Sequence, residues 1–511
     1  MINKKIVIVY PPFYRLFDDS YSYGEYPLAL GYISGAVKMH TDWDVVSYNT
    51  DFSRKKYIGN DSVTFSFRSD EGYKNYSRNL GDNGAPLWNE IHDSLRDLGP
   101  SVVGISTMSQ NFKSACIIAE LVKSINQDIL VVVGGPHLSM VGSEVLDCQH
   151  IDIGVVGEGE QTIVELLDAI ANLKDLNKID GLVFRRNGEY VTTRTRVLSQ
   201  DLDKLCFPHV HAREVLKDYD LYPKSAFGNI LAGRGCPYSC TFCGSHKIWG
   251  RKVRTRSPQN VVKELESLQR VGVTSVRFAD DTFGLNKVWT KELCDGIVKR
   301  CRGLKWKCEV NVNLITDVFI ETIKSAGCYM VELGVESGDN GILKEIKKNI
   351  TVEQSLAACN VIRKHNVELQ AYIIIGFPQE TEDTLQKTVD AIKKIDGYIW
   401  ISVFSPIKGT ELYEYCLNNG LLESESDADK HYFQNLDSFS RYILRDRFRE
   451  LATKIINEVD IKNSNNRMSR IFSSKTFWRI KEYGLMGSIN KGLGILSRAN
   501  TGLFRSLIGS K

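Results

Sequence analysis

The sequence predicts two α/β domains in series and a small helical region at the end. The first is a doubly wound parallel sheet of flavodoxin or Rossmann type, and the second a partial (β/α)6 barrel. Three observations carry this reading. A chain of 511 residues exceeds one ordinary domain and suggests two or three. Apolar runs of strand length alternate with helix-patterned runs from residue 4 to about 170, as in a parallel sheet covered on both faces. Six further βα units then follow without a reversal of pattern, which suits a barrel better than another flat sheet.

The first strand is read over residues 4–9, within "KKIVIVY" (4–10), stopped by Pro11 and Pro12. Helix "PLALGYISGAVK" (27–38) and strand "WDVVSYN" (43–49) follow. Residues 51 to 85 are polar, aromatic and glycine-rich, and read as a long insertion. Next come helix 86–99, strand "SVVGIST" (101–107), helix 114–126, and strand "DILVVVGG" (128–135). Strand "DIGVVGEGE" (152–160) runs into helix 162–170. Ligands of such sheets bind at the carboxyl ends of the strands. That rule singles out Ser106, Thr107, Gly134, Gly135, His137, Gly157 and Glu158. An Asn-Gly turn within 181–196 predicts a closing hairpin.

The barrel strands are expected at 229–233, 275–281, 307–312, 330–337, 369–378 and 398–404. The domain division is therefore 1–196, a linker 197–225, the barrel 226–425 and a helical basic region 426–511. From 461 to 511 there are ten Lys and Arg against one acid, Glu482, a balance of 10 − 1 = +9. That stretch reads as a solvated helical tail or as an amphipathic surface for peripheral membrane contact.

The formal charge of +3 gives no global reason to expect nucleic acid as a partner. "MINKKIVIVYPP" lacks a secretory apolar run, and no stretch of 18 apolar residues suggests a membrane span. Twelve cysteines in such a chain are no disulfide framework. Nine are scattered singly and read as buried free thiols, so a reduced cytoplasmic setting is expected.

The other three stand together in "GRGCPYSCTFCGSHKIWG" (233–250), at Cys236, Cys240 and Cys243. Structural zinc sites are closed by four ligands, and His246 is the candidate fourth for a Cys3His zinc site in a non-catalytic protein. A cubane iron–sulfur cluster also takes thiolates. Three of them leave one iron open, and an open position on a catalytic metal is where a substrate or cofactor binds.

CxxxCxxC on the loop after the first strand of a βα series, with Phe242 before the last cysteine, resembles the radical S-adenosylmethionine (SAM) superfamily. The resemblance covers roughly 226 to 410. It implies a [4Fe–4S] cluster on the three cysteines, SAM on the open iron, and reductive cleavage to a 5′-deoxyadenosyl radical. It also implies an electron donor such as flavodoxin or ferredoxin. "FADD" (278–281) offers Asp280 or Asp281 for the SAM amino group. "GVESG" (334–338) offers Glu336 and Ser337 for the ribose hydroxyls. "IIIGFPQET" (373–381) offers Gly376 and Glu380 at the adenine.

The domain in front is similar to the cobalamin-binding subfamily, through "PLALGYISGAVK", "GISTMSQNF", "VVVGGPHLS" and "GVVGEGEQT". The resemblance implies that Ser106, Thr107, Gly134, Gly135, His137, Gly157 and Glu158 lie against cobalamin. Many such domains carry DxHxxG after the first strand, whose His ligates cobalt. Here "YPPFYRLFDD" stands there instead, so the sequence does not supply that lower ligand. The implied activity is methylation of an unactivated carbon in a small-molecule or lipid-like substrate. The alternative within the subfamily is similar to the anaerobic magnesium-protoporphyrin IX monomethyl ester oxidative cyclase. A methylthiotransferase on RNA is disfavoured, because the first domain holds only the singletons Cys116 and Cys148.

Overall fold

The run KIVIVY forms β1 (Lys5–Tyr10), whose four inner residues are at most 3% exposed because helices cover both faces. A computed structural model describes residues 3–19, 24–53, 70–422, 436 and 439–471. Among them β2 (Asp44–Asn49), β3 (Val102–Ser106), β4 (Leu130–Gly134) and β5 (Ile153–Val155) join β1 in parallel. The hairpin β6 (Leu182–Arg186) and β7 (Glu189–Thr192) is added antiparallel, giving the order β2-β1-β3-β4-β5-β6-β7. The order turns back between β1 and β3, the kind of switch point at which such sheets open a crevice. Helices Leu28–His40 and Gly159–Asn172 lie together on one face. Helices Pro86–Leu98 and Phe112–Ile125 cover the other, packing Trp88, Ile91, Ala115 and Ile118 on Val7, Val9, Val103 and Val131.

Two local expectations change. Strand 152–160 stops at Val155, because Gly157 turns the chain at φ +81° and a helix starts at Gly159. The insertion 51–85 contains a helix, Asp70–Gly81, whose Tyr76 stacks on Phe17 at 4.6 Å; residues 54–69 lie outside the described residues. The linker 197–225 is packed rather than loose. A Cβ on Gly31 would meet Pro208 at 2.4 Å, so the helix accepts this segment only through glycine. Of the nine scattered cysteines, six are buried; Cys116, Cys148 and Cys206 are half-buried.

The chain divides into two units. The first is Met1–Asp281 with Lys299–Arg302 and Pro406–Gln434. The second is Thr282–Val298, Gly303–Ser405 and Asn435–Lys511. Beyond the sheet, the first unit holds β8 (Asn229–Ile230) paired in parallel with β11 (Ser275–Phe278). A short antiparallel ribbon of β9 (Gly233–Arg234) and β10 (Arg254–Thr255) brackets the cysteine loop. The second unit holds β12 (Lys305–Val310), β13 (Cys328–Glu336), β14 (Glu368–Ile375) and β15 (Tyr398–Val403), all parallel and adjacent in chain order. Helices Asp317–Ser325, Val352–Lys364 and Glu382–Lys394 alternate with them, each started by a threonine cap at 316, 351 or 381. The βα repetition is the one expected. A last helix, Arg445–Ile471, begins the basic region; residues 472–511 lie outside the described residues. No helix of the described residues is long and apolar enough to cross a membrane.

Candidate active site

The cysteine loop is positioned from both ends. Before it, Gly235 at φ +103° brings the backbone so close to Lys252 that a Cβ would lie 2.6 Å from that carbonyl oxygen. Arg254 pairs with Arg234 across the ribbon. Cys236, Cys240 and Cys243 are half-buried, and the Ser245 N–H donates to Cys243 Sγ at 3.5 Å. Burial pushes the Cys243 thiol up to about 12, with Cys240, Asp281 and Cys236 adding like charge. Burial and like charge thus oppose a thiolate at Cys243, and a cationic metal centre would offset both.

Among the described residues no three His, Cys, Asp or Glu side chains gather for one metal ion. His246 is half-buried on the short helix Ser245–Trp249, and burial, then Arg251 and Lys247, lower its pKa.

Both aspartates of FADD grip this loop. Asp280 accepts the Ala232 N–H at 3.1 Å, and burial raises its pKa to about 7. Burial raises Asp281 too, with Ser245 and the Gly235 backbone lowering it in part. The first strand end and the second are tied through these carboxyls.

The remaining expected SAM residues lie on the second unit. Glu336 ends β13 in the left-handed region, φ +66°, which costs a non-glycine residue about 1–3 kcal/mol. Its carboxylate meets Lys348 Nζ at 2.6 Å. Ser337 is fully buried, with its Oγ accepting the Asp339 N–H at 3.2 Å and lying 3.3 Å from Thr388. It shapes the turn. Gly376 takes φ +87°, and a Cβ there would strike the Phe448 ring at 2.7 Å. Glu380 accepts the Gly376 N–H, is fully buried, and is raised to about 8 by that burial. Its Oε1 is a buried acceptor with no partner among the described residues. Such an atom costs free energy unless a ligand meets it.

At the ends of the first sheet, Thr107 follows β3. It is fully buried, and both its N–H and its hydroxyl donate to the Gly134 carbonyl, at 2.7 and 2.9 Å. Gly135, at φ +107°, is required by Thr107, since a Cβ would lie 2.5 Å from the Thr107 oxygen. Gly134 is different: its Cβ would make only ordinary contact with Val155, so the protein itself leaves room there. Ser106 is half-buried at the end of β3, and the Gly157 N–H donates to Ser139 Oγ at 3.0 Å. The His137 Nδ1 lies 3.0 Å from Ser109 Oγ and its ring packs on Phe112; burial and Lys408 lower it to about 4, so it is neutral. Glu158 is held by three donors. Its Oε1 accepts from Arg234 and Arg254 at 2.8 and 2.9 Å, and its Oε2 accepts the Ser199 N–H at 2.6 Å. Both oxygens are occupied inside the protein.

Sequence reasoning missed Arg234, Arg254, Lys348, Phe448 and Met140. Met140 lies on the short helix Pro136–Val141 after β4, and a Cβ on Gly244, next to Cys243, would come within 3.0 Å of its Sδ. Only the opposite charges in "GRGCP" and "GEGE" hinted at the first of them.

The radical SAM superfamily model matches residues 230–392, and the B12 binding domain model matches 66–167. An uncharacterized methyltransferase of Pyrococcus horikoshii is 32% identical over 345 residues, covering 66% of this chain and 73% of that protein. Cytidylyl-2-hydroxyethylphosphonate methyltransferase of Streptomyces wedmorensis is 24% identical over 524 residues, 93% of each chain. The fold is shared with TsrM of Kitasatospora setae, a radical SAM methyltransferase solved with cobalamin and a [4Fe–4S] cluster. There the TM-score is 0.63 at 18% identity, covering 90% of this chain and 88% of that one. With the cysteine loop, the strand-end carboxyls and the N-terminal parallel sheet in hand, the chain belongs to the cobalamin-binding radical SAM family.

Proposed function

We propose that the protein is a cobalamin-dependent radical SAM methyltransferase acting on an unactivated carbon of a small molecule. One observation carries the reading: the loop after β4 meets the cysteine loop at Met140 and Gly244, inside one unit. Residues proposed for cobalamin (Ser106, Gly134, Gly135, His137, Gly157) therefore stand beside residues proposed for the cluster. When bound, the cluster and SAM supply one-electron chemistry that removes a hydrogen atom, and cobalamin supplies the methyl group.

The protein's part is to hold and orient. Cys236, Cys240 and Cys243 would ligate three irons and leave the fourth to SAM. Asp280 and Asp281 fix that loop, and the proposed ammonium contact falls to them. Glu336, braced by Lys348, would meet the ribose, and the buried Glu380 carboxyl would meet the adenine edge at Gly376. Gly134, where the protein leaves space, would let the cofactor's nucleotide tail approach the backbone. The division 1–196, 197–225, 226–425 and 426–511 is proposed as the functional one. A flavodoxin- or ferredoxin-type electron donor and a cytoplasmic setting complete the proposal.

The test is anaerobic reconstitution with iron, sulfide and hydroxocobalamin, followed by metal and sulfide analysis. About four irons per chain, one cluster's content, with retained cobalt is the expected result. Iron without cobalt removes the methyl-transfer reading, and zinc without iron removes the enzyme.

A further inference from the structure

The first part of the C-terminal region is built into the second unit. Along the helix Arg445–Ile471, Phe448, Ala452, Ile455, Ile456 and Val459 recur at the three- and four-residue spacing of one buried face. This helix meets the sheet in two places. Toward its far end Asn463 holds the outer edge of β15. Its Oδ1 accepts the Ile399 N–H at 2.9 Å, and its Nδ2 donates to the Ile399 carbonyl at 2.8 Å. One amide thus stands where a further strand would pair, which the fold itself explains.

The near end is different, because it closes on the loop between β14 and the helix Glu382–Lys394. A Cβ on Gly376 would have three ring atoms of Phe448 as its nearest neighbours, the first at 2.7 Å. Phe377 reaches Phe439 through Phe404, with ring centroids 5.4 and 5.9 Å apart. The Arg441 N–H donates to the Pro378 carbonyl at 3.0 Å, and the Ser440 hydroxyl to the Glu380 carbonyl at 2.6 Å. Ser440 Oγ also accepts the N–H groups of Tyr442 and Ile443, both at 3.1 Å, which fixes its orientation. At Glu382 the Arg447 guanidinium makes a forked contact, at 3.1 and 2.9 Å. Every one of these residues belongs to the second unit.

We propose that Ser440, Arg441, Arg447 and Phe448 are positioning residues for SAM. They set the loop 376–382 in its adenine-binding shape, so the C-terminal helical region governs SAM affinity from outside the cofactor site. A loop that holds a ligand through a glycine and a buried carboxyl binds more tightly when it is ordered beforehand, since binding then has less disorder to remove. The loop supplies one bond of its own, from the Glu380 N–H to the Phe377 carbonyl at 2.9 Å. Ser440 and Arg447 reach it from 60 and 65 positions further along the chain. The inference rests on the reading of Gly376 and Glu380 as adenine contacts.

The test is equilibrium dialysis of the anaerobically reconstituted full chain with SAM, 5′-deoxyadenosine and methionine. The last two carry the adenine end and the amino-acid end separately. Ser440→Ala and Phe448→Leu should each weaken SAM and 5′-deoxyadenosine about fivefold, the factor one net hydrogen bond gives, and leave methionine unmoved. Ser440→Thr keeps the hydroxyl and should bind like the wild type. Asn463→Ala loosens the same helix about 22 Å beyond Phe448, and should lower the urea midpoint with SAM affinity unchanged. SAM affinity unmoved by Ser440→Ala or by Phe448→Leu would overturn the inference. So would an equal loss in Asn463→Ala, or a loss shared by methionine, since a merely structural role gives both. Failure of the wild type, with its iron in place, to bind SAM and 5′-deoxyadenosine would sink the adenine reading itself, and the inference with it.

Discussion

Replacing Arg234 with methionine should cost about 3–5 kcal/mol of stability, the loss that follows removal of one partner from a buried ion pair. The guanidinium is 3% exposed, two residues before Cys236. It donates to Glu158 at 2.8 Å and to Glu160 at 2.5 Å, and lies between the rings of Tyr32 and Trp249 at 5.1 and 4.9 Å. Methionine keeps the length of the stem but leaves the buried Glu158 to Arg254 alone and takes this partner from the half-buried Glu160. Stacking on two rings would add about 1 kcal/mol to the loss. Urea unfolding of the apo protein, followed by far-UV circular dichroism, measures the loss. Lysine at 234 keeps the charge without the planar fork and should lose less. Adding Glu160→Gln to Arg234→Met should recover at least about 1 kcal/mol, because it removes an uncompensated charge. A loss below about 1 kcal/mol, the range of a surface pair, would refute the reasoning, as would further destabilisation by the second change.

Gly376→Ala should destabilise by about 1–3 kcal/mol and weaken SAM binding, because alanine is strained at φ +87° and its Cβ meets Phe448; calorimetry of unfolding and of SAM binding checks both. Glu380 is raised to about 8 in the fold from 4.5, so the folded state binds the extra proton between those values. Stability should then fall as pH rises from 5 to 8, by on the order of 4 kcal/mol. Glu380→Gln should flatten that fall, and equal pH slopes in urea titrations would remove the assignment. His246→Ala should leave the iron content of the reconstituted protein unchanged, whereas Cys243→Ala should abolish it. Loss of metal in His246→Ala would restore the zinc reading.

The cluster loop was legible because its chemistry is local: three cysteines within eight residues, preceded by a strand, need no distant partner to be recognised. The strand-end carboxyls Asp280, Asp281, Glu336 and Glu380 were singled out by their order after that loop. Ser337, Thr107 and Glu158 read as equally good candidates, since their neighbours in sequence do not reveal what they face in space. Ser337 meets Thr388, Thr107 meets Gly134, and Glu158 meets two arginines, the nearer of them 76 residues away in the chain. The helix at 70–81 was hidden by polar composition, because one stacked face around Tyr76 is enough to seat it.

The sequence by itself determined the alternation of strands and helices, the parallel sheets and the incomplete ligand set of the cysteine loop. These follow from side-chain periodicity and spacing along the chain, which folding cannot change. The tertiary structure alone decided which polar groups are shut away from water and which stay open to a ligand. Glu158 is locked to Arg234 and Arg254, and Glu380 keeps an unmet oxygen, although both are strand-end residues of similar sequence setting. The physical reason is desolvation: a group's charge, partners and use depend on what surrounds it, and that is set by packing between segments far apart in the chain.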